Sequence, residues 1–274
     1  MFLASGAGLI GCGSAGQGAT VVTVKGSDTM VHLAMELAEA YMNAHPDTEV
    51  SVTGGGSGTG IAALLNGSTD ICTASRDLQD KEQETAQSKG MSIDEHGIAL
   101  DGIAIIVNPE NPVNELSLDD LKKMYTGSYT RWSDVGGPDQ PILLLSRESS
   151  SGTYVFFQEH VLEKQDYSKE ARLMPATSAI VESVASDAWS IGYIGLGYAE
   201  GAGDRVKVIG IKMDAGKSIM PTVDSVISGE YPISRPLHLY TTSEATAAAR
   251  AFIEFTLSPA GQAIVKGAGY VPVK

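Results

Sequence analysis

Apolar residues recur with strand-like and helix-like spacing in turn along the first third of the chain. Residues 21–25 and 49–53 are short apolar runs rich in valine, which is typical of strands. Between them, residues 28–45 repeat apolar side chains at helical spacing, and Pro46 follows this predicted helix. Three further elements are predicted, a helix at 61–67, a strand at 69–75 and a helix at 79–89. This alternation favours a parallel sheet with helices on its faces.

The same alternation continues to the C-terminus. The predicted strands lie at 97–109, 141–145, 190–195, 205–211 and 236–240. The predicted helices lie at 117–125, 151–163, 177–187, 243–257 and from 259 towards 267. We therefore expect an α/β protein, and the chain shows no internal repeat at the period of a solenoid.

Composition narrows the classes of function. The 274 residues are 43% apolar and 19% charged, which is typical of a globular protein of one large domain or two ordinary ones. The formal net charge is -14, and no cluster of Lys and Arg interrupts this acidic background, which argues against a general nucleic-acid-binding protein. Local donors would have to bind any anion against an unfavourable overall field. No apolar run beyond the N-terminus is long enough to span a bilayer.

The N-terminus carries a candidate lipidation site. The residues Leu9-Ile10-Gly11-Cys12 resemble a bacterial lipobox, in which the cysteine is lipidated and becomes the new N-terminus. We expect residues 1–19 to hold this signal and a flexible tether, with Cys12 as the lipidated residue. The alternative is an unprocessed tail with a free thiol.

Three strand-to-helix junctions share one chemistry. They are Gly26-Ser27-Asp28-Thr29, the glycine-rich run 54–60 with Ser57 and Thr59, and Ser149-Ser150-Ser151-Gly152-Thr153. At a helix N-terminus the first backbone N–H groups are unpaired and the helix dipole is positive. Glycine lets an anion approach the backbone, and hydroxyls add donors. A single loop of this kind is usually only a helix cap, but three in one chain indicate an anion site.

Arg147 precedes the third junction and offers a forked donor that suits a tetrahedral oxyanion. Its alternative role is an ion pair with Glu148 or another carboxylate. Catalytic motifs are not satisfied: the run 54–60 is neither a P-loop nor a G-x-S-x-G motif, and the five histidines show no metal-ligand spacing. A hydrolase that uses a loop serine stays open as a less favoured alternative, because no base is paired with one.

Taken in order, these loops resemble the phosphate-binding proteins of bacterial phosphate ABC transporters. The matching motifs are Gly-Ser-x-Thr at 26–29, Gly-x-Gly-Ser at 54–57, Ala74-Ser75, and Arg147-x-x-x-Ser151-Gly152-Thr153. The resemblance covers about residues 20–274. It implies the two-lobe fold of type II periplasmic binding proteins, in which each lobe is a mostly parallel sheet flanked by helices. A dehydrated anion would lie in the cleft between the lobes, held by backbone N–H groups, hydroxyls and one Arg.

The resemblance implies a set of ligand-binding residues at the loops. They are Ser27, Asp28, Thr29, Met30, Ser57, Gly58, Arg76, Arg147, Ser151, Gly152 and Thr153. Lobe one would contribute the first two loops, with Thr29, the Met30 backbone and Ser57. Lobe two would contribute Arg147 and the Ser-Gly-Thr loop.

One position departs from the family's pattern. Longer members carry an Asp after Ala-Ser, and it accepts a hydrogen bond from protonated phosphate; here that position is Arg76. Sulfate carries no proton at neutral pH, so the change keeps another oxyanion open as the ligand, namely sulfate, molybdate or tungstate. Our hypothesis is that Asp28 supplies the acceptor, and the alternative is that Asp28 is an N-cap facing away from the ligand. Arg76 would add positive charge or pair with Asp77, Asp28 or Glu148.

The resemblance also implies an organisation and a role. Lobe one would hold residues 20–104 and 235–274, lobe two residues 105–234, and the crossings would lie at 102–108 and 233–240. We expect the lobes to close around the ligand. The implied role is delivery of inorganic phosphate to the permease subunits of an ABC importer, by a monomer without cofactor or metal. It would work in the periplasm or on the outer cell surface, anchored through Cys12, and a sensing role would use the same binding.

Overall fold

Strands and helices alternate through the residues that the computed structural model describes, 19–214 and 216–273. The strands are β1 (Thr20–Gly26), β2 (Thr48–Thr53), β3 (Ile71–Ala74), β4 (Ile93–Val107), β5 (Glu115–Leu116), β6 (Leu143–Arg147), β7 (Arg172–Met174), β8 (Ser190–Gly195), β9 (Lys207–Lys212), β10 (Ser218–Ile219), β11 (Ser234–Thr242) and β12 (Val271–Pro272). The α-helices are α1 (Val31–Ala44), α2 (Ser57–Leu65), α3 (Asp80–Ser88), α4 (Leu118–Tyr125), α5 (Gly152–His160), α6 (Thr177–Ser186), α7 (Leu196–Ala202), α8 (Val223–Ile227), α9 (Ala247–Thr256) and α10 (Pro259–Gly267). Short 3-10 helices lie at Asp28–Met30, Trp132–Val135 and Gly203–Arg205. Cys12 lies outside the described residues.

The first lobe is built on a sheet whose strand order is β2-β1-β3-β11-β4, with β12 beside β4. β1 pairs in parallel with β2 and β3, as the alternation of elements predicts. β11 runs antiparallel to both β3 and β4. The sheet is therefore parallel at its outer edge and antiparallel where the chain passes to the other lobe.

The second lobe is built on β4, β8, β6 and β7, with β9 beside β4. β6 is parallel to β7 and β8, whereas β4 is antiparallel to β8 and β9. β4 thus belongs to both sheets: it pairs with β11 as far as Gly102 and with β8 from Ile103 onwards. The expected two-lobe α/β architecture is confirmed, with antiparallel strands added where the lobes join.

Two large apolar clusters fill the lobes. The first packs α1, α9 and α10 on the first sheet and includes Leu33, Leu37 and Phe252. The second packs α4 and α5 on the second sheet and includes Trp132 and Phe157. Among the described residues, no helix combines the length and apolar character needed to cross a membrane.

Local sequence explains most element boundaries near the site. Ser151 caps α5, because its Oγ accepts a hydrogen bond from the Thr153 backbone N–H at 3.2 Å. α2 begins at Ser57, four residues before the predicted start, so the glycine-rich run is already the first turn of the helix. Gly56 precedes it with φ +104, and a Cβ built on Gly56 would lie 2.6 Å from the Ser150 carbonyl oxygen. Glycine at 56 therefore allows both the turn and the close approach of the second lobe.

Candidate functional site

Six hydroxyl side chains from both lobes converge where the strand-to-helix junctions meet. Every one of them is at most 2% exposed. They are Ser27, Thr29, Ser57, Ser75, Ser151 and Thr153. The three predicted loops therefore lie together in the cleft, and Ser75 was missing from the predicted set.

The first junction positions its hydroxyls through a 3-10 turn after β1. Ser27 Oγ donates to Ser75 Oγ at 2.9 Å, and Thr29 Oγ1 shares a 2.8 Å hydrogen bond with Thr153 Oγ1 of the second lobe. The Met30 backbone N–H donates to the Ser27 carbonyl oxygen at 3.1 Å, which closes the turn. Met30 is buried beneath it.

The second junction brings the start of α2 against the second lobe. The Gly58 backbone N–H donates to the Ser150 carbonyl oxygen at 2.9 Å. Ser57 Oγ accepts a hydrogen bond from the Ser75 backbone N–H at 3.1 Å, which leaves the Ser57 hydrogen to be donated. A Cβ built on Gly152 would overlap Ser57 Oγ and lie 2.7 Å from Ser75 Oγ. Glycine at position 152 thus allows α5 to enter the gap between these serines.

Arg147 and Asp28 meet across the cleft. Arg147 Nη1 lies 3.2 Å from Asp28 Oδ2 and donates to Thr177 Oγ1 at 2.8 Å. Its Nε and Nη2 donate to the carbonyl oxygens of Met174 and Pro175. Burial lowers the pKa of Arg147, and the Asp28 carboxylate opposes this shift. An arginine remains charged in proteins, so Arg147 supplies a buried positive charge to the site.

The side chain of Asp28 serves the second lobe. Its Oδ2 accepts a hydrogen bond of 2.7 Å from the Thr177 backbone N–H at the start of α6. Ser27 is the N-cap residue of the 3-10 helix that Asp28 begins, so the alternative in which Asp28 is the local N-cap is not what the structure shows. Whether Asp28 also accepts a hydrogen bond from a ligand stays a prediction.

Arg76 lies behind the second junction and is neutralised within its own lobe. Its Nη2 and Nη1 donate to the Glu82 carboxylate at 2.7 and 2.8 Å, and Nη1 also donates to the Asp77 carbonyl oxygen. The carboxylate that pairs with Arg76 is therefore that of Glu82, and not that of Asp77, Asp28 or Glu148. Arg76 Nη2 still lies 3.7 Å from a Cβ built on Gly58, and its buried Nε has no partner within the described part of the chain.

Sequence reasoning missed a second arginine beneath the hydroxyls. Arg235 Nη2 lies 2.9 Å from Asp101 Oδ2 and donates to Thr153 Oγ1 at 3.0 Å, while Nη1 donates to the Ser75 carbonyl oxygen at 2.8 Å. Both side chains of the ion pair are fully buried. One signal was present in the sequence: Asp101 and Arg235 are each the charged residue of an otherwise apolar segment. A charge buried in this way requires a partner.

The histidine side chains do not pair with the cleft serines, but one of them lies beside two carboxylates. In residues 19–214 and 216–273, the ring nitrogens of the five histidines make no hydrogen bond to a cleft serine. Away from the cleft, His238 lies between the carboxylates of Asp77 and Glu95, at 3.0 and 3.1 Å. These three residues form a cluster with metal-ligating side chains that residue spacing alone did not reveal. Both of its carboxylates are exposed.

The site suits an oxyanion. Hydroxyl and backbone N–H donors and a buried arginine converge at helix N-termini, where partial positive charge is fixed by the backbone. The loops bond to one another across the cleft, so an anion between them would be removed from water. A nucleophile activated by a paired base is not part of this arrangement among the described residues.

This chain is similar in sequence and in structure to proteins named as phosphate-binding proteins. The PBP superfamily domain matches residues 13–260. The phosphate-binding protein PstS of Staphylococcus haemolyticus is 38% identical over 253 residues, which are 90% of this chain and 79% of that protein. A putative phosphate ABC transporter substrate-binding protein from Clostridium perfringens, solved with bound phosphate, superposes with a TM-score of 0.84 at 32% identity, covering 93% of this chain and all of that one. An ABC-type phosphate transport receptor from Vibrio cholerae superposes with a TM-score of 0.74 at 31% identity, covering 92% and 100%.

Proposed function

We propose that this chain, which belongs to the family of PstS phosphate-binding proteins, binds inorganic phosphate between its lobes and delivers it to an ABC importer. The relatives' names and the bound phosphate in the Clostridium perfringens structure support this proposal. The observation in this chain that carries it is the buried cluster of hydroxyls and Arg147, assembled from helix N-termini of both lobes.

The proposed ligand residues are those at the three junctions. Thr29, Ser57, Ser151 and Thr153 would donate hydroxyl hydrogens to phosphate oxygens. Backbone N–H groups of Met30, Gly58 and Gly152 would add donors. The Met30 N–H would leave the Ser27 carbonyl oxygen of its own turn, and the Gly58 N–H would share its hydrogen between phosphate and the Ser150 carbonyl oxygen. Arg147 supplies the charge, while Ser27, Asp28 and Arg76 lie around this set and shape its electrostatics.

Selection of phosphate over sulfate requires an acceptor for the proton that phosphate retains at neutral pH. We assign this role to Asp28, whose carboxylate lies at the cleft beside Arg147. Arg76 has the position of the usual acceptor but is held by Glu82, so its charge is compensated before it reaches the ligand. Binding of molybdate, tungstate or sulfate is the alternative that this departure keeps open.

Lobe closure is part of the proposed cycle. The strand pairing of β4 changes sheets between Gly102 and Ile103, and β11 begins opposite this point at Ser234. This supports a hinge near the proposed division into residues 20–104 with 235–274 and residues 105–234. The loop-to-loop bonds at Thr29 and Gly58 would break on opening and so admit the anion.

We place the protein outside the cytoplasm, anchored to the membrane through a lipidated Cys12, where it acts as a monomer on the permease subunits of the importer. Binding without catalysis fits a cleft whose described serines contact one another rather than a base. The acidic net charge of -14 makes local donors the source of anion affinity.

Equilibrium dialysis against radiolabelled phosphate tests the proposal, using protein first stripped of phosphate by unfolding and refolding. We expect saturable binding by the wild type and loss of binding in Arg147→Met and Ser57→Ala. Arg131→Met and Thr59→Ala are matched controls, because Arg131 pairs with Asp139 on the surface and Thr59 Oγ1 donates to the Gly55 carbonyl oxygen outside the cluster. Retention of phosphate by Arg147→Met at wild-type affinity would contradict the assignment, as would displacement of label by sulfate or molybdate as readily as by phosphate.

A further inference from the structure

Two oppositely charged residues lie directly opposite each other on the strands that join the lobes. Asp101 of β4 and Arg235 of β11 are register partners, and the next pair along, Gly102 with Ser234, is the last before β4 changes sheets. Arg235 Nη2 and Nε lie 2.9 and 3.2 Å from Asp101 Oδ2, with both side chains fully buried. Burial raises the pKa of Asp101, and the charge of Arg235 opposes the shift. Two apolar side chains of similar volume would fill this space without the cost of desolvating two charges. The stability of the fold therefore does not by itself explain why an ion pair occupies this place.

The pair makes further polar contacts with both lobes. Towards the first lobe, Arg235 Nη1 donates to the Ser75 carbonyl oxygen at 2.8 Å, at the end of β3. Towards the second lobe, Arg235 Nη2 donates to Thr153 Oγ1 at 3.0 Å, and Asp101 Oδ1 accepts from the Leu196 backbone N–H at 2.9 Å. The second-lobe contacts are to the first turns of α5 and α7. Opening the cleft would move these two partners away while leaving the ion pair on the first sheet.

The contact with Thr153 also restricts the orientation of its hydroxyl group. A guanidinium only donates, so Thr153 Oγ1 is the acceptor from Arg235. The Thr153 hydrogen therefore points away from the guanidinium. It can be donated to a ligand or to Thr29 Oγ1, which lies 2.8 Å away, since either hydroxyl of this pair can be the donor. Thr29 in turn has its own hydrogen to donate. Arg235 thus leaves the hydrogens of Thr153 and Thr29 available to an anion in the cleft.

We infer that Asp101 and Arg235 are positioning residues that orient the Thr153 hydroxyl, with its hydrogen away from the guanidinium, and stabilise the closed arrangement of the lobes. They act on phosphate through Thr153, Ser75 and Leu196 and do not contact it. The inference rests on the proposed function. It assigns to the buried pair a part in phosphate affinity and in the rate at which phosphate is released.

The test measures phosphate affinity and dissociation rate in variants of the full chain, beside thermal unfolding. Asp101→Leu with Arg235→Met replaces the pair by apolar side chains, so it avoids a buried uncompensated charge. Arg235→Lys keeps the charge but loses the fork, and it decides the question should the double variant not fold. Each variant is expected to unfold cooperatively, to bind phosphate about 10- to 100-fold more weakly, as expected for loss of charged hydrogen bonds, and to release it faster. Wild-type affinity and release rate in the double variant, or in Arg235→Lys, would overturn the inference.

Thr153→Val separates positioning from a general structural role. In the wild type this change should weaken phosphate binding, whereas in the Asp101→Leu, Arg235→Met background it should cost much less, because the hydroxyl is no longer directed. An equal loss in both backgrounds would show that the pair does not act through Thr153. Absence of phosphate binding by the wild type would instead refute the proposed function, so the two failures are distinguishable.

Discussion

Asp28 Oδ2 and Arg147 Nη1 lie 3.2 Å apart, although one follows the first strand of lobe one and the other ends a strand of lobe two. The same carboxylate oxygen accepts the Thr177 backbone N–H at 2.7 Å. A single acidic side chain thus compensates the buried arginine and caps a helix of the opposite lobe. The proposed anion site and the contact between the lobes are therefore parts of one electrostatic arrangement.

Replacement of Asp28 by Asn tests its proposed role as the phosphate acceptor. The amide can still accept from Thr177 but no longer carries the negative charge that repels fully deprotonated sulfate. We expect the preference for phosphate over sulfate to fall about 10-fold, the size of one charged hydrogen bond. Competition of unlabelled sulfate against labelled phosphate measures it, with Asp139→Asn as the control at an exposed pair. An unchanged preference in Asp28→Asn would remove the acceptor role.

Gly152→Ala should block closure. The added methyl group would overlap Ser57 Oγ and crowd Ser75 Oγ, which belong to the other lobe. Overpacking of this kind costs about 1–3 kcal/mol, so phosphate affinity should fall about 10- to 100-fold while the melting temperature of the phosphate-free protein changes little. Gly201→Ala in α7 is the matched control, because no atom lies within 4 Å of its added Cβ. Equal phosphate affinity in both variants would show that the two loops need not approach this closely.

Small-angle X-ray scattering should detect the motion of the lobes. If the contacts of Thr29 with Thr153 and of Gly58 with Ser150 form on closure, phosphate should reduce the radius of gyration. Gly152→Ala should show a smaller reduction even at saturating phosphate. Identical scattering with and without phosphate in the wild type would argue against the proposed division into moving lobes.

The thiol of Cys72 should be unreactive in the folded protein. It is completely buried, and burial raises its pKa well above the ordinary value, so the reactive thiolate is not formed as the pH rises through the usual range. In a Cys12→Ser variant, a thiol reagent at pH 8 should label no cysteine in native protein and one per chain in denaturant. Rapid labelling of native protein would show that α2 opens readily from the first sheet.

The alternation of elements was predictable because the long helices and buried strands have clear apolar periods. The strands β5, β7, β10 and β12 contain only two or three residues each, and such short elements form through tertiary pairing rather than through a local pattern. The start of α2 was placed too late because glycines suggested a loop, whereas here they permit a helix to begin against the opposite lobe.

The three strand-to-helix loops that meet in the cleft could be predicted because each has a local signature of glycine and hydroxyl residues. The partners of the charged residues could not, since they are distant or unmarked in sequence. Asp101 and Arg235 are 134 positions apart, and Asp28 is 149 positions from Thr177. The Glu82 that holds Arg76 lies only six positions away, but α3 has several acidic residues and no pattern distinguishes this one.

Isothermal titration calorimetry of phosphate-stripped protein with phosphate, and then with sulfate and molybdate, tests whether phosphate is the ligand of the cleft. Two temperatures are needed, because a binding enthalpy can pass through zero at one of them. We expect tight binding of one phosphate per chain and much weaker binding of the other two anions. Equal or tighter binding of sulfate or molybdate would contradict phosphate as the ligand, and no heat with any of the three at either temperature would contradict the oxyanion site itself.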